Sequence, residues 1–188
     1  MTVIPAGTRV DYTVTYLEMT AAPAWDRAGA LAGEPVWLSQ VDRPDAWFFL
    51  ALYDAVGRDY EWVDQFARDP ADLQAWLNDP NLYLHVAIRG GQPIGFFMLD
   101  HGRDGTVELV YFGATPSGIG GGFGTWLLRQ AIWTAWELGG VERLTVETCT
   151  LDHPRALRTY EKWGFRPFRR EEKSRLLTRD RDPSRWSD

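Results

Sequence analysis

Thr115-Pro116-Ser117-Gly118-Ile119-Gly120-Gly121-Gly122-Phe123-Gly124-Thr125 lies between a β-rich segment and an amphipathic helical pattern. Its closely spaced glycines let the backbone turn sharply and leave amide N–H groups uncovered by side chains. The helical pattern that starts at Phe123 aims the positive end of its dipole at the same spot. Strand, glycine turn and helix N-terminus together form an anion cradle suited to a phosphate or pyrophosphate, which points to a nucleotide-type ligand. A P-loop is not supported, because no Lys-Ser/Thr follows the glycines.

Working outward, the upstream side reads as three consecutive strands. Leu82 to Ile88 alternates, Gly90-Gly91 turns, Pro93 to Leu99 returns, and His101 to Gly105 turns again before Thr106 to Gly113. Short glycine-bearing turns between β-rich runs predict an antiparallel meander, which disfavours a Rossmann fingerprint. Downstream, Phe123, Leu127, Leu128, Ala131, Ile132, Ala135 and Leu138 recur at helical spacing until Gly139-Gly140. Leu144, Val146 and Thr148 alternate as a strand. Asp152 or His153 is the expected cap of a helix with Pro154 near its first position, Ala156, Leu157, Tyr160 and Trp163 on one face, and Gly164 at its end. Phe165 to Leu177 is the last strand.

At the other end, Val10 to Met19 reads as a first strand and Thr20 to Arg43, rich in Ala, Gly and Pro, as an irregular connection. Pro44-Asp45 opens a helix that runs to Gly57. Arg58 to Trp62 is loop-like and leads into a helical turn to Phe66. Asp69-Pro70 begins a short helix over Leu73, Trp76 and Leu77. The order β, helices, βββ, α, β, α, β predicts an α+β fold with a mixed sheet.

With 188 residues the chain fits one domain spanning 1–188, with chemistry concentrated in 106–165 and a polar tail over 178–188. Net charge −6 disfavours non-specific nucleic-acid binding and suits a cationic small substrate or simple solubility. Cys149 is the only cysteine, so an intramolecular disulfide is excluded and a reducing cytoplasm is the expected location. No signal-like or membrane-length apolar segment is found, so no membrane association is expected. His85, His101 and His153 are dispersed without ligand spacing, and no metal site is expected. Trp186 in the tail leaves a homodimer open beside a monomer.

From Pro116 to Phe165 the sequence resembles the GNAT superfamily of acyl-CoA-dependent N-acyltransferases. That family carries Arg/Gln-x-x-Gly-x-Gly/Ala after its fourth strand, matched here by Ile119 to Gly124. It also carries Asn-x-x-Ala-x-x-Tyr-Glu-Lys-x-Gly-Phe, matched by Ala156, Tyr160, Glu161, Lys162, Gly164 and Phe165. Ile119 and His153 depart from it, standing where Arg or Gln and Asn are common. The resemblance implies a GNAT-like fold: a mostly antiparallel sheet of about six or seven strands, helices on both faces, and a V between the fourth and fifth strands, Val107–Ala114 and Leu144–Thr150. It also implies acetyl-CoA as acyl donor, no metal, and a small amine or a protein amino group as acceptor.

On that resemblance the diphosphate falls to Ile119, Gly120, Gly121, Gly122, Phe123, Gly124 and Thr125, with His153 and Ala156 alongside. The N–H groups of Phe112 and Ala114 face the pantetheine and thioester. Glu108 is the candidate general base, read as sharing a sheet face with Val110 and Phe112, where apolar neighbours raise a carboxylate pKa. A solvated strand-end glutamate is the plainer reading, and Glu147 is the alternative base. Tyr160 is the candidate general acid for the departing thiolate, against a purely packed tyrosine. Trp47, Tyr53, Tyr60 and Trp62, on the early helices and their loop, are the candidates for the acceptor pocket; Tyr60 and Trp62, in a loop beside Asp59 and Glu61, are preferred, whereas Trp47 and Phe48 read more strongly as core. Cys149 reads as packing. The function expected is acetyl transfer to a primary amine by direct attack in a ternary complex. The rival is a CoA-binding regulatory module without catalysis, suggested by Ile119 and His153.

Overall fold

Seven strands build one sheet in the computed structural model, which describes residues 3–102 and 104–183. In chain order the elements are β1 (Arg9–Met19), β2 (Val36–Val41), α1 (Ala46–Gly57), α2 (Pro70–Leu77), β3 (Leu82–Arg89), β4 (Gln92–His101), β5 (Thr106–Ala114), α3 (Phe123–Glu137), β6 (Arg143–Cys149), α4 (Ala156–Lys162) and β7 (Arg166–Leu176). The strand order across the sheet is β2-β3-β4-β5-β6-β1-β7. β3, β4 and β5 form the expected meander. β5 and β6 are parallel, as a strand–helix–strand crossover through α3 requires.

Period-two alternation sends side chains of the central strands to two separate cores. Leu84, Val86, Phe96 and Met98 pack under α1 and α2 with Phe49, Leu52 and Leu73. Phe97, Leu99, Val107 and Leu109 face the opposite way, under α3 with Leu127, Leu128, Ala131 and Ile132. All four of those α3 residues are fully buried, and each contributes roughly 1.5–3 kcal/mol if it is as large as leucine, less for alanine. Helices therefore cover both faces of β3–β5, and the fold is the α+β GNAT arrangement expected.

Two local readings need correction. Val36–Val41 lies in the segment read as irregular but pairs with β3 as an edge strand. The helix expected to be capped by Asp152 or His153 starts only at Ala156, and Asp152 bonds back to β6 instead. The beginning of the polar tail is tied down: Thr178 donates from both N and Oγ1 to Glu61 at 3.1 Å, and Arg181 pairs with Ile4 and is buried. Trp186 lies outside the described residues. Among them no helix is long and apolar enough to cross a membrane.

The connection before β2 also has a packing role. Arg27 reaches over α3 to Gln130, Thr134 and Glu137, and Trp126 donates to the Gly29 carbonyl at 2.8 Å. Trp25 packs against Trp133 and Trp163. This strap covers the outer face of α3 and leaves its N-terminus uncovered, where the glycine turn lies.

Candidate active site

The pairing of β5 with β6 is short. It runs from Thr106↔Arg143 to Leu109↔Val146 and stops, so Val110 to Ala114 have no partner on that side. One contribution is visible on the other edge of β5. Its register with β4 slips between Met98↔Tyr111 and Leu99↔Leu109, so Val110 is the extra residue of a β-bulge. A bulge bends its strand and sharpens the twist, which turns the end of β5 away from β6.

Beyond the bulge, Thr115 donates to the Ile94 carbonyl of β4 at 3.0 Å. Ladder alternation then turns the N–H groups of Gly113 and Tyr111 towards β4, and those of Phe112 and Ala114 into the gap. The glycine turn follows at once. Gly118 sits so close to β4 that a Cβ there would lie 2.0 Å from the Ile94 carbonyl oxygen. Gly120, Gly121 and Gly122 have φ of 106°, 56° and 78°, and nothing lies within 4 Å of where their Cβ atoms would be. Phe123 N–H bonds to Gly120 and Trp126 N–H to Gly122. The N–H groups of Gly120, Gly121, Gly122, Gly124 and Thr125 find no acceptor among the described residues. No acidic side chain lies in the first turn of α3, so the helix dipole there is uncompensated.

One cavity of about 650 Å³ joins this turn to the gap and continues onto the opposite sheet face. Ile119, 71% exposed, forms its rim, with Ala156 and His153 beside it. Tyr160 reaches it from α4. Its ring packs on Phe112 and Phe165 at 6.1 and 5.8 Å, and its hydroxyl has no hydrogen-bond partner among the described residues. Burial first, and the Asp152 charge second, push the Tyr160 pKa far above the usual phenol range, so the hydroxyl keeps its proton.

The bulge also changes the expected setting of Glu108. Val107 and Leu109 face α3, but after the extra residue so do Phe112 and Ala114, and Glu108 shares its face with Tyr111 instead. Glu108 does not share a face with Phe112. Its carboxyl is open to the cavity yet walled by protein. That burial raises its pKa, with further rises from Glu147 and Asp100. Glu147 lines the same cavity and is raised by burial, with Lys173 opposing.

Above these carboxylates stands an aromatic wall. Trp62 packs on Tyr53 and Tyr111 at 5.4 and 5.2 Å, Tyr53 on Tyr111 at 5.2 Å, and Gln65 donates to the Tyr111 hydroxyl at 2.9 Å. Tyr60 approaches His153 edge-on at 6.4 Å. Trp62 and Tyr60 both line the cavity. Trp47 departs from expectation: it is 70% exposed on the outer side of α1 and is not core, while Phe48 is half-buried. Cys149 is half-buried and burial pushes its thiol up to about 11, far from a reactive thiolate. Among the described residues no group of three or more His, Cys, Asp and Glu could hold a metal ion.

The family model for the acetyltransferase (GNAT) family matches residues 49–165, more than half of the chain. The chain belongs to that family. Among solved structures, this GNAT chain is similar to a functionally unknown conserved protein from Staphylococcus epidermidis (TM-score 0.60, 13% identity, 91% of this chain and 63% of that one). It is also similar to a GCN5-related N-acetyltransferase from Kribbella flavida (TM-score 0.55, 20% identity, 97% and 60%). A third is an IAA acetyltransferase from Bacillus cereus (TM-score 0.52, 24% identity, 71% and 79%). At these identities the likeness concerns the fold. The chain spans 63% and 60% of the length of the first two. No curated protein matches it.

Within the GNAT frame, the end of α1 brings Tyr53, one of the acceptor-pocket candidates, into the cavity lining, and two further cavity residues escaped the sequence reading. Tyr111 reads only as part of the strand Thr106 to Gly113, because only the bulge brings its ring to the cavity. Asp152 read as a helix cap. It accepts from Thr148 Oγ1 at 2.8 Å, Cys149 N at 2.9 Å and Trp62 Nε1 at 3.4 Å. Its position three residues after Cys149 was the only signal, and an Asx-type bond back to a strand end has no distinctive spacing.

Proposed function

We propose that this protein transfers the acetyl group of acetyl-CoA to a primary amine by direct attack within a ternary complex. The observation that carries the reading is a single cavity lined jointly by unbonded amides at a helix N-terminus, the free edge of β5, a protonated tyrosine and a carboxylate of raised pKa. The residues present fit a CoA ester: three successive positive-φ glycines leave room for a diphosphate, with amide donors and the helix dipole to hold it. When bound, acetyl-CoA supplies an activated acetyl thioester.

The chain's own groups divide the remaining work. The amides of Gly120, Gly122, Gly124 and Thr125 hold the anionic end, and Ile119 contributes only apolar contact. The N–H groups of Phe112 and Ala114 point into the gap, where they can stabilise negative charge on a carbonyl oxygen. Glu108 takes a proton from the incoming ammonium, and its raised pKa brings it nearer to that of a useful base. Tyr160 Oη holds the proton that a departing thiolate needs. The wall of Trp62, Tyr60, Tyr53 and Tyr111 shields the acceptor side from water and offers ring faces to an apolar or cationic amine.

The test is thiol release from acetyl-CoA across a panel of small primary amines, amino acids and peptides with free N-termini or lysines. Amine-dependent release is expected. Calorimetric binding of CoA without any amine-dependent release would replace this reading with that of a CoA-binding regulatory module.

A further inference from the structure

Asp152 stands at the point where the two parted strands would otherwise meet. Thr150 N–H bonds to Thr13 of β1 at 3.1 Å, so alternation turns the N–H of Cys149 to the other side, towards β5. That donor faces the gap and is the next one along β6 that β5 could use after the Leu109↔Val146 pair. Instead, Asp152 Oδ2 accepts it at 2.9 Å and also takes the Thr148 hydroxyl at 2.8 Å. The other carboxylate oxygen, Oδ1, accepts from Trp62 Nε1 at 3.4 Å, on the loop that walls the acceptor side. Cys149, Asp152 and Trp62 all line the cavity.

We propose that Asp152 is a positioning residue that holds β5 and β6 apart by occupying the gap-facing edge of β6, and that through Trp62 it ties this edge to the acceptor wall. The inference rests on the acetyltransferase reading for its kinetic consequence but not for its structural one. A hydrogen bond from a backbone amide to a carboxylate is stronger than one to a neutral carbonyl, so the carboxylate wins Cys149 from the strand ladder. Without it, the Cys149 amide is free to recruit a carbonyl of β5, and the gap narrows from its closed end. Asparagine would keep one oxygen for β6 but present a donor or nothing to Trp62, which separates the two halves of the role.

The experiment pairs residue-resolved amide hydrogen exchange of the unliganded protein with steady-state kinetics for Asp152→Ala, Asp152→Asn and Trp62→Phe. In Asp152→Ala the amides of Phe112 and Ala114 are expected to gain protection, and the KM for acetyl-CoA to rise about tenfold or more. Asp152→Asn should recover most of the acetyl-CoA KM but not the acceptor KM, and Trp62→Phe should move the acceptor KM alone. A merely structural aspartate would lower the active fraction and kcat with both KM values unmoved. That result, or exchange at Phe112 and Ala114 identical to wild type, overturns the proposal. If the wild type turns over no amine, the function reading fails and the exchange arm alone decides this one. If Asp152→Ala does not fold, Asp152→Asn and Trp62→Phe still decide it by whether the acceptor KM responds.

Discussion

Gly118 and Gly122 lie four residues apart in one turn, and replacing each by alanine should have opposite consequences. At Gly122, φ is 78° and the space above Cα is open. An alanine there meets only the left-handed backbone penalty, about 1–2 kcal/mol. For a domain of this size that lowers Tm by roughly 2–8 °C. Its methyl, however, stands in the volume proposed for the diphosphate, beside amides that each offer a hydrogen bond to a charged group. Losing one such bond costs about 1.5–3 kcal/mol, so the Kd for acetyl-CoA should rise about 10- to 100-fold. At Gly118 the new methyl would lie 2.0 Å from the Ile94 carbonyl, an overlap that must move backbone and typically costs about 1–3 kcal/mol or more. Gly118→Ala should therefore destabilise at least as much while altering the Kd less in the fraction that remains folded. Differential scanning calorimetry and isothermal titration calorimetry measure the two quantities on the same samples. If Gly122→Ala binds acetyl-CoA within about twofold of wild type, the turn is not the diphosphate cradle.

Tyr160→Phe keeps the ring contacts with Phe112 and Phe165, so Tm should hold while kcat drops about 100-fold or more and the acetyl-CoA KM stays close to wild type. Unchanged turnover removes Tyr160 from the mechanism. For Glu108, a raised native pKa means that the folded state binds more protons than the unfolded one between the ordinary glutamate value and the raised one, so wild-type stability falls as pH rises through that window. Glu108→Gln should accordingly raise Tm at neutral pH but not below the ordinary glutamate pKa. It should also abolish the rising acid limb of kcat/KM, and a limb that persists assigns the base to Glu147. Ile119→Arg adds a cation at a 71% exposed rim position and should tighten acetyl-CoA by up to about fivefold in calorimetry. No gain would mean that the rim does not approach the phosphates.

The long elements were legible because burial enforces their periodicity. The 3.6-residue repeat of α3 is written by one apolar face, and the meander of β3 to β5 by apolar runs set between short glycine-bearing turns. The glycine run was legible for a different reason: three successive positive φ values leave few residue choices. What escaped were features set by tertiary contact. Val36–Val41 is an edge strand with polar flanks, and only the neighbouring β3 makes it one. The bulge at Val110 interrupts Thr106–Ala114 without any Gly or Pro at the slip, so strict alternation assigned Glu108 the wrong companions. Trp47 carries helical spacing yet points outward, because Phe49, Leu52, Tyr53 and Val56 already fill the buried side of α1. Asp152 and the ring of Tyr111 reach the cavity only through the turn after β6 and the bulge.

The central claim is best tested by a crystal structure of the protein with acetyl-CoA bound. The diphosphate oxygens should lie within hydrogen-bond distance of the amides of Gly120, Gly122, Gly124 and Thr125. The thioester should lie between β5 and β6 beyond the Leu109–Val146 pair, within reach of the Phe112 amide and the Tyr160 hydroxyl. A ligand seated elsewhere, or strands that close on each other past that pair, would contradict the account.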